Sequence, residues 1–574
     1  MRFCVFCFLC GLTSLSFALD REAFTVAKYN LEIRLEPEQQ RLGARGKITL
    51  RNDSPHPQNI VALQISSSLS WSSIRVNGKA VQFVSQPYTS DIDHTGALSE
   101  AVVTLPAEIK PKDSVEVEIG YEGVIPLDAT RLTRIGVPEE IAKHSSWDQI
   151  SPSFTAVRGA GYVAWYPITT EAADFSEGNS LFEVADRWKA REAGSEFKLA
   201  LSLSENAKVS TTVVCGAEAK GISNREDRPL RVNCDWSPLG AVTPTFAAAE
   251  YLHQSKSTLR LLSLAGDEVG AATYLNALDP AMKFATSWFG QPSAPIAVAD
   301  FADPNSAPFE SGTLLMASMA AEDSKLAGIN LVHELVHSAL PSSRPWVYEG
   351  LAHFAEAMYR QQQGGREAAL DLLGLHRAAF LDSEKEVATA LAKNPGEKNV
   401  EQKNLGQPLA SAFDETYYRS KAAYVWWMLR DMVGDDALKQ AIGKYRAEDD
   451  KDPKYVEQLI EAAAKRDLSW FFDDWVYRDR GLPDFHVQSA HPWTTDKGVQ
   501  FITLTLENLG NSGAEVPFTV IFEGGEVTQR IEVRGKGTAT TRVQLLGPVS
   551  EIVVNDGSVP ESDLTNNVYK IPAQ

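Results

Sequence analysis

Hydrophobic and polar residues alternate along much of the first half of the chain, as they do over residues 29–35 and 115–119. A period of two residues is typical of half-buried β-strands. The same pattern returns at residues 197–203 and continues to about residue 252. We therefore predict one large β domain over residues 19–252.

The pattern then changes to a period of about 3.6 residues, which is typical of amphipathic helices. Helices are predicted at roughly residues 270–288, 327–340, 347–363, 366–380 and 421–432, with further helices to about residue 478. Residues 297–299 are predicted to form a short strand, and the polar segment 382–412 a surface loop. We predict a mainly helical domain over residues 253–484.

Strand patterns return at residues 501–506 and 516–522, separated by glycine-rich turns. Short strands of this kind over about 90 residues predict a β-sandwich at residues 485–574, similar to immunoglobulin domains. The predicted fold class is thus multidomain α+β, with a β domain, a mainly helical domain and a C-terminal sandwich.

The first 18 residues have the features of a signal peptide. Arg2 precedes an apolar run over residues 3–12, and Ser16 and Ala18 supply the small residues of a cleavage site. We predict cleavage after Ala18 and a secreted or periplasmic protein; an N-terminal membrane anchor is the alternative. Later apolar runs are shorter than the roughly 20 residues of a membrane span, so stable membrane insertion is not expected.

Net charge and cysteine content narrow the picture further. The formal net charge of −20 argues against nucleic-acid binding, because a polyanion would repel the chain. Only Cys215 and Cys234 remain after removal of the predicted signal peptide, and both lie in predicted strands. Outside the cytoplasm such a pair tends to oxidise. We predict a structural disulfide, with two buried thiols as the alternative.

One predicted helix contains a metal-binding pattern, His333-Glu334-Leu335-Val336-His337. Residues four apart share a helix face, so both imidazoles can bind one metal ion. Zinc suits such ligands and leaves one position open for water. Glu334 adjoins the first histidine and can reach that water as a general base. Two surface histidines on a helix are the alternative, so a third ligand must decide.

The position of a third ligand distinguishes the classes of zinc peptidase. In metzincins it would be a histidine six residues after His337, where this chain has Ser343. The other solution is a glutamate on a following helix, and Pro341 and Pro345 break the chain between two such helices. Eighteen residues separate His337 from Glu356, which makes Glu356 a candidate.

These segments resemble the aminopeptidase N family of gluzincin metallopeptidases, which includes leukotriene hydrolase. That family has His-Glu-x-x-His, eighteen residues and then Glu, with the last part written Trp-x-x-Glu-Gly-Phe-Ala-x-x-x-Glu. The chain matches this last part at Trp346, Glu349, Gly350, Ala352 and Glu356. The resemblance implies one zinc ion per chain, held by His333, His337 and Glu356, with Glu334 as the catalytic base. His353 is expected to contact this site without binding the metal.

The resemblance also implies a fold and a substrate. It implies a saddle-like N-terminal β domain, a thermolysin-like catalytic domain and a peptide substrate. Residues 288–290 and 471–483 look like landmarks on either side of the family's catalytic domain. The predicted C-terminal sandwich departs from the best-known members, which have a helical domain there.

Two substrate-binding elements of the family are only partly retained. Glu310 lies 23 residues before His333, at the place of the glutamate that binds the substrate's amino group in Gly-x-Met-Glu-Asn. An ordinary loop carboxylate is the alternative. The place of a second amine-binding residue, nine residues before Pro167, is taken by Arg158. A cation there would repel an ammonium group, which leaves aminopeptidase specificity open.

The family also has a tyrosine that donates a hydrogen bond to the oxyanion, in the pattern Tyr-x-Lys-Gly. The corresponding segment here contains Tyr417, Tyr418 and Lys421. Tyr418 is one residue farther from the lysine than usual. We predict that Tyr418 has this role, with Tyr417 as the alternative and core packing of both as a further one.

The sequence therefore predicts a secreted zinc-dependent aminopeptidase. One alternative is a zinc peptidase that acts on blocked or internal peptide bonds. Another is a non-catalytic surface-binding protein in which the two β domains act around an inactive core. Retention of Glu334 speaks against the last, because a general base has no structural purpose.

Overall fold

The computed structural model describes residues 19–177, 180–204, 211–221, 231–320, 323–393 and 407–571. The predicted signal peptide and residues 394–406 of the predicted polar loop lie outside this part of the chain. In the described part, strands come first, helices follow and strands return, so the protein has the mixed composition that the sequence predicts. The division into three domains stays a prediction.

The N-terminal part is built mainly of strands. They are β1 (Phe24–Glu36), β2 (Arg41–Asn52), β3 (Gln58–Ser66), β4 (Leu69–Val76), β5 (Lys79–Ala80), β6 (Phe83–Thr89), β7 (Ala97–Ile109), β8 (Ser114–Val124), β9 (Phe154–Val157), β10 (Glu196–Leu203), β11 (Thr212–Cys215), β12 (Glu218–Gly221), β13 (Arg231–Trp236) and β14 (Phe246–Ala249). Three helices accompany them: α1 (Thr130–Arg134), α2 (Glu139–Ser145) and α3 (Ser180–Glu192).

These strands form three sheets. The largest has the order β13-β10-β1-β2-β8-β4-β5, and the others are β3-β7-β6 and β12-β11-β14-β9. In β1 the alternate residues Leu31, Ile33 and Leu35 are buried, which confirms the period of two. The predicted disulfide is present between Cys215 on β11 and Cys234 on β13, with 6.1 Å between their Cα atoms.

A fourth sheet, of five strands, is formed by segments that lie before and after helix α4 (Glu268–Phe289) in the chain. Its order is β15-β16-β17-β19-β18, with β15 (Leu252–Lys256), β16 (Leu259–Ser263), β17 (Ile296–Ala299), β18 (Phe309–Ser311) and β19 (Leu314–Met316). Strand β17 confirms the short strand predicted at residues 297–299. Within the described chain β18 pairs with β19 alone and forms one edge of this sheet.

The helices that follow pack into one hydrophobic core. They are α4 (Glu268–Phe289), α5 (Ser324–Ala339), α6 (Pro345–Lys393), α7 (Ala422–Val433), α8 (Asp435–Lys444), α9 (Tyr455–Ala464) and α10 (Ser469–Phe472). Gly365, with φ 83°, interrupts α6 between the two helices predicted there. The predicted loop is corrected in part, because α6 continues to Lys393 instead of ending near residue 380. A π-helical turn, Thr416–Lys421, precedes α7.

The C-terminal part consists of two antiparallel sheets. Their orders are β20-β21-β24 and β23-β22-β25-β26. The strands are β20 (Phe485–Thr494), β21 (Gln500–Asn508), β22 (Ala514–Phe522), β23 (Gly525–Val533), β24 (Thr538–Leu545), β25 (Val549–Val554) and β26 (Val568–Lys570). Buried residues of these sheets, such as Phe518, belong to the same hydrophobic cluster as Trp475 of the helical part. Residues on the two sides of the predicted boundary at residue 484 thus share a core.

No helix in the described residues is both long enough and apolar enough to cross a membrane.

Candidate metal centre

Helix α5 holds the two histidines of the His-Glu-x-x-His pattern. The Asp323 carboxylate accepts a hydrogen bond from the backbone N–H of Lys325 and so caps the helix N-terminus. His333 and His337 are one helical turn apart, both are buried, and their ring centroids are 4.6 Å apart. The helix therefore presents both imidazoles to one point, as the spacing predicts.

Helix α6 brings a carboxylate to this point from its first turn. Glu349 is buried on α6, which packs against α5 and α7. The next residue is Gly350, where a side chain would meet Cβ of Ala422 at 2.6 Å. Glu349 thus supplies a carboxylate that faces α5. Gly350 lets α6 approach α7 closely, and this approach holds Glu349 in position.

Four side chains converge at the centre of this site. Glu310, His333, His337 and Glu349 each place one potential ligand atom within 4.8 Å of the others. The Nε2 atom of His337 is 2.8 Å from Glu310 Oε1 and 3.7 Å from Glu349 Oε1. The Nε2 atom of His333 is 2.9 Å from Glu310 Oε2 and 3.9 Å from Glu349 Oε2.

Glu356, the predicted third ligand, belongs to a second group of potential ligands, with His333 and His353. Its Oε1 accepts a hydrogen bond of 2.6 Å from Nδ1 of His333, and its Oε2 is 3.1 Å from Nδ1 of His353. The Nε2 atom of His333 faces the point where the four side chains converge, and Nδ1 is the other nitrogen of the ring. The predicted set of His333, His337 and Glu356 is not brought together at one point in the structure: Glu349 is the α6 carboxylate that meets the Nε2 atoms of both histidines.

Glu310 occupies a central position. It lies in the middle of the edge strand β18, and its carboxylate contacts the Nε2 atoms of both histidines. Burial opposes ionisation of Glu310, but His333 and His337 outweigh it and hold its pKa well below the usual range. The structure thus brings Glu310 to the predicted site, in direct contact with the two histidines.

Charge is concentrated at this point. Burial lowers the pKa of His333, but Glu310 and Glu356 outweigh burial and raise that pKa well above its usual value. The carboxylates that favour a proton on His333 also favour a divalent cation at the same place, since a proton and a metal ion are both positively charged. Metal binding at such a site releases the proton.

Glu334, the predicted base, is buried beside the two histidines. Its Oε2 has no hydrogen-bond partner among the described residues. Burial raises the pKa of Glu334 well above its usual value, and the nearby carboxylates of Glu310 and Glu349 raise it further. A buried carboxylate oxygen without a partner is costly, and it is what a base that meets its proton donor only during reaction requires.

The two candidate oxyanion tyrosines face different neighbours. Burial raises the pKa of Tyr418 well above its usual value, and the charges of Glu415 and Glu349 raise it further. The ring of Tyr417 lies 5.5 Å from Nζ of Lys421. Both tyrosines are buried in the π-helical turn, and the charge of Glu349 acts on Tyr418.

Arg158 is paired with a carboxylate, so it is not the unneutralised cation that its place in the sequence suggests. Its guanidinium forms a buried ion pair of 2.6 Å with Asp148. It lies 3.9 Å from the ring centroid of Tyr162 and 4.2 Å from that of Trp147. Because Asp148 neutralises it, its effect on a substrate's amino group is smaller than its position in the sequence suggests.

Three contacts at the site were not predicted. Tyr348 stacks on the ring of His337, with a centroid distance of 3.7 Å and an interplanar angle of 13°. Arg419 forms an ion pair of 3.2 Å with Glu349. His376 packs edge-on against His353 at 4.8 Å. The sequence signal for Tyr348 is its position directly before the Glu-Gly pair; for the other two no local pattern identifies the contact.

The chain matches no protein-family model, and no curated protein is significantly similar to it in sequence. In structure it is similar to the crystal structure of the M1 zinc metallopeptidase from Deinococcus radiodurans, with 15% identity and a TM-score of 0.46 over 80% of this chain and 95% of that chain. A mutant of that enzyme gives 15% identity and a TM-score of 0.47 over 81% and 96%. The mutant bound to a Tyr-Ser-Ala substrate gives 14% and 0.46, again over 81% and 96%. Because these TM-scores are below 0.5, the proposals below rest on the geometry of the site.

Proposed function

We propose that the protein is a zinc-dependent peptidase whose metal is held by His333, His337 and Glu349, one zinc ion per chain. The supporting observation is the convergence of these three side chains within 4.8 Å, beside the partnerless Oε2 of Glu334. Two imidazoles and one carboxylate are a ligand set of catalytic zinc sites, which keep a further position for water or substrate. The residues present therefore fit zinc.

The chemistry follows from the positions of the side chains. Zinc held by His333, His337 and Glu349 would act as a Lewis acid and would make water a better nucleophile at neutral pH. Glu334 then accepts the proton of the attacking water and passes it to the leaving amine. Tyr418 donates a hydrogen bond to the oxyanion, with Tyr417 as the alternative donor.

The substrate is a peptide. Strand β18 is an edge strand, and Glu310 at its centre touches both zinc-binding histidines. An extended peptide can add to such an edge through backbone hydrogen bonds. The peptide bond to be cleaved then lies beside Glu334 and the metal ligands.

Removal of N-terminal residues is the specificity that Glu310 supports. Its half-buried carboxylate faces the cleft beside the two histidines, and an ionised carboxylate can bind an ammonium group through charge-assisted hydrogen bonds. Asp148 neutralises Arg158, which removes the strongest objection to an amine in this cleft. Cleavage of blocked or internal peptide bonds remains the alternative, because Glu310 lies so close to the zinc ligands that it can bind the metal instead.

We further propose that the protein acts outside the cytoplasm. The predicted signal peptide and the disulfide between Cys215 and Cys234 support this, since disulfides persist in oxidising compartments. A non-catalytic binding protein is the remaining alternative.

The decisive experiment combines metal analysis with product analysis. The purified protein is stripped with a chelator, reloaded with zinc and incubated with matched free and N-acetylated peptides, and the products are identified by mass. Hydrolysis that zinc restores supports a zinc peptidase, and preference for the free peptides supports an aminopeptidase. A zinc-loaded protein that cleaves neither peptide would overturn the proposal.

A further inference from the structure

Arg419 contacts the proposed metal ligand Glu349 from the side of the π-helical turn. Its Nε is 3.2 Å from Glu349 Oε2, and its second partner is Glu415, with 3.6 Å between Nη1 and a carboxylate oxygen. The Arg419 side chain is 33% exposed, whereas that of Glu349 is 6% exposed. The guanidinium therefore lies between a buried carboxylate of the metal centre and a carboxylate at the rim.

This contact is an ion pair and not a hydrogen bond, because Arg419 Nε and Glu349 Oε2 have no hydrogen-bond partner among the described residues; it places a positive charge beside one of the two oxygens of Glu349. The other oxygen, Oε1, is 3.7 Å from Nε2 of His337, among the atoms proposed to bind zinc. A guanidinium is always charged, so it attracts this oxygen at every pH and favours the orientation of Glu349 in which Oε1 faces His337. Side chains that hold a metal ligand from behind typically contribute 10–100-fold to metal affinity.

We infer that Arg419 is a positioning residue that orients Glu349 for the metal. Glu356 has the corresponding position behind His333, where it accepts a hydrogen bond of 2.6 Å from Nδ1. The metal centre thus has one outer partner for a histidine and one for the carboxylate. This inference rests on the proposed zinc site and adds a residue that the His-Glu-x-x-His pattern does not contain.

The direction of the change in zinc affinity distinguishes a positioning role of Arg419 from a purely electrostatic one. Arg419 is a cation near a divalent ion, so its removal would by itself strengthen zinc binding. Loss of positioning has the opposite effect. We expect Arg419→Gln to weaken zinc binding by about 10–100-fold, and Arg419→Lys, which keeps the charge without the planar fork, to recover part of that loss.

The test measures zinc dissociation constants by competition with a chromogenic chelator, together with melting temperatures in the absence of metal. Arg466→Gln is the matched control, because Arg466 is also 33% exposed and also pairs with two carboxylates, Glu515 and Glu532. We expect this control to bind zinc as the wild type does.

Several outcomes would overturn the inference. They are unchanged or tighter zinc binding by Arg419→Gln, an equal loss in the Arg466→Gln control, or an effect confined to the KM of peptides with a free terminal carboxylate. His337→Ala separates this failure from failure of the proposed function. If His337→Ala also binds zinc as tightly as the wild type, the zinc site itself is refuted; if only Arg419→Gln does, the site stands and the role of Arg419 is rejected.

Discussion

Glu356 Oε1 lies 2.6 Å from Nδ1 of His333, on the side of the imidazole ring away from His337. A metal-binding histidine commonly donates its second ring N–H to a carboxylate, which fixes the tautomer and the orientation of the ring. Glu356 and Glu349 therefore contact different ring nitrogens of the histidines, although both belong to α6 and both face α5. The first prediction follows from this difference.

Substitution of Glu349 and of Glu356 should affect zinc content differently. Glu349→Ala removes a ligand from a set of three and should lose zinc, because two histidines leave too few donors for tight binding. Glu356→Gln keeps three ligands and should still bind zinc, about 10–100-fold more weakly. Metal analysis and chelator competition measure both effects. Full zinc in Glu349→Ala together with loss from Glu356→Gln would restore Glu356 as the ligand.

The eighteen-residue spacing after His337 predicts Glu356 as the ligand, but helical periodicity does not distinguish Glu356 from Glu349. They are seven residues apart on one helix, so they share a face, and helical periodicity assigns both to the same environment. The choice depends on where the first turn of α6 meets α5, and that depends on the chain path between the two helices. Gly350 lets this turn approach Ala422 closely, and the contact between the two residues sets the position of the turn. That contact is not local in sequence.

Local patterns predicted other features well. The alternation in β1, the strand at residues 297–299 and the disulfide depend on short-range periodicity or on pair chemistry, and the structure confirms all three. The stacking of Tyr348 on His337 and the ion pair of Arg419 with Glu349 join different elements. Their partners become neighbours only when α6 and the π-helical turn pack beside α5. Features that depend on local sequence are therefore predictable from the sequence, whereas contacts that depend on tertiary packing are not.

Glu334→Gln should keep zinc and the fold but lose most activity. The amide has nearly the same shape as the carboxylate, but it cannot accept a proton from water. We expect turnover to fall by at least about a hundredfold, the lower range for general acid–base catalysis. Zinc content, melting temperature and peptide hydrolysis should be measured on the same preparation. Near-normal turnover in a zinc-loaded variant would exclude Glu334 as the base.

Glu192 should make the stability of the protein depend on pH. It is buried at the end of α3, and burial raises its pKa to about 7. The Tyr29 hydroxyl lies 2.9 Å from the Pro167 carbonyl and 2.7 Å from Glu192. A hydroxyl has one proton to donate, and if Pro167 accepts it, a protonated Glu192 can donate to the Tyr29 oxygen.

The sign of this dependence follows from the two states. Unfolded Glu192 ionises near its ordinary value of 4.5, but in the folded protein it ionises near 7. Between these values the folded state binds more protons, so the free energy of unfolding falls as pH rises from about 4.5 to about 7 and is constant above. One pKa unit corresponds to about 1.4 kcal/mol, so the full effect of a rise from 4.5 to about 7 is about 3.5 kcal/mol.

Glu192→Gln should remove this dependence, because the amide can donate to Tyr29 at every pH. The variant should be more stable than the wild type at pH 8 by up to about 3.5 kcal/mol and nearly equal to it at pH 4.5. Calorimetric unfolding at both pH values measures the difference. Glu183→Gln, on the exposed face of the same helix, is the control. A Glu192→Gln variant that is less stable than the wild type at pH 8 would mean that the ionised carboxylate is the native form.

Glu310→Gln distinguishes an amine anchor from a metal ligand. If Glu310 binds the substrate's ammonium group, its loss removes a charge-assisted hydrogen bond of about 1.5–3 kcal/mol. Hydrolysis of free peptides should then fall by roughly tenfold to a hundredfold. N-acetylated peptides have no ammonium group and should be affected little. Comparing the two effects as a ratio removes the contribution of any general damage to the site. The zinc affinity of the variant should equal that of the wild type.

Two other results would assign Glu310 differently. Its carboxylate lies 2.8 and 2.9 Å from the Nε2 atoms of His337 and His333, which is also where a metal ligand would lie. If Glu310→Gln weakens zinc binding and slows both peptides equally, Glu310 belongs to the metal centre and not to the substrate site. If the wild type already prefers N-acetylated peptides, the cleft does not select a free amine, and the protein is a zinc peptidase for blocked or internal bonds.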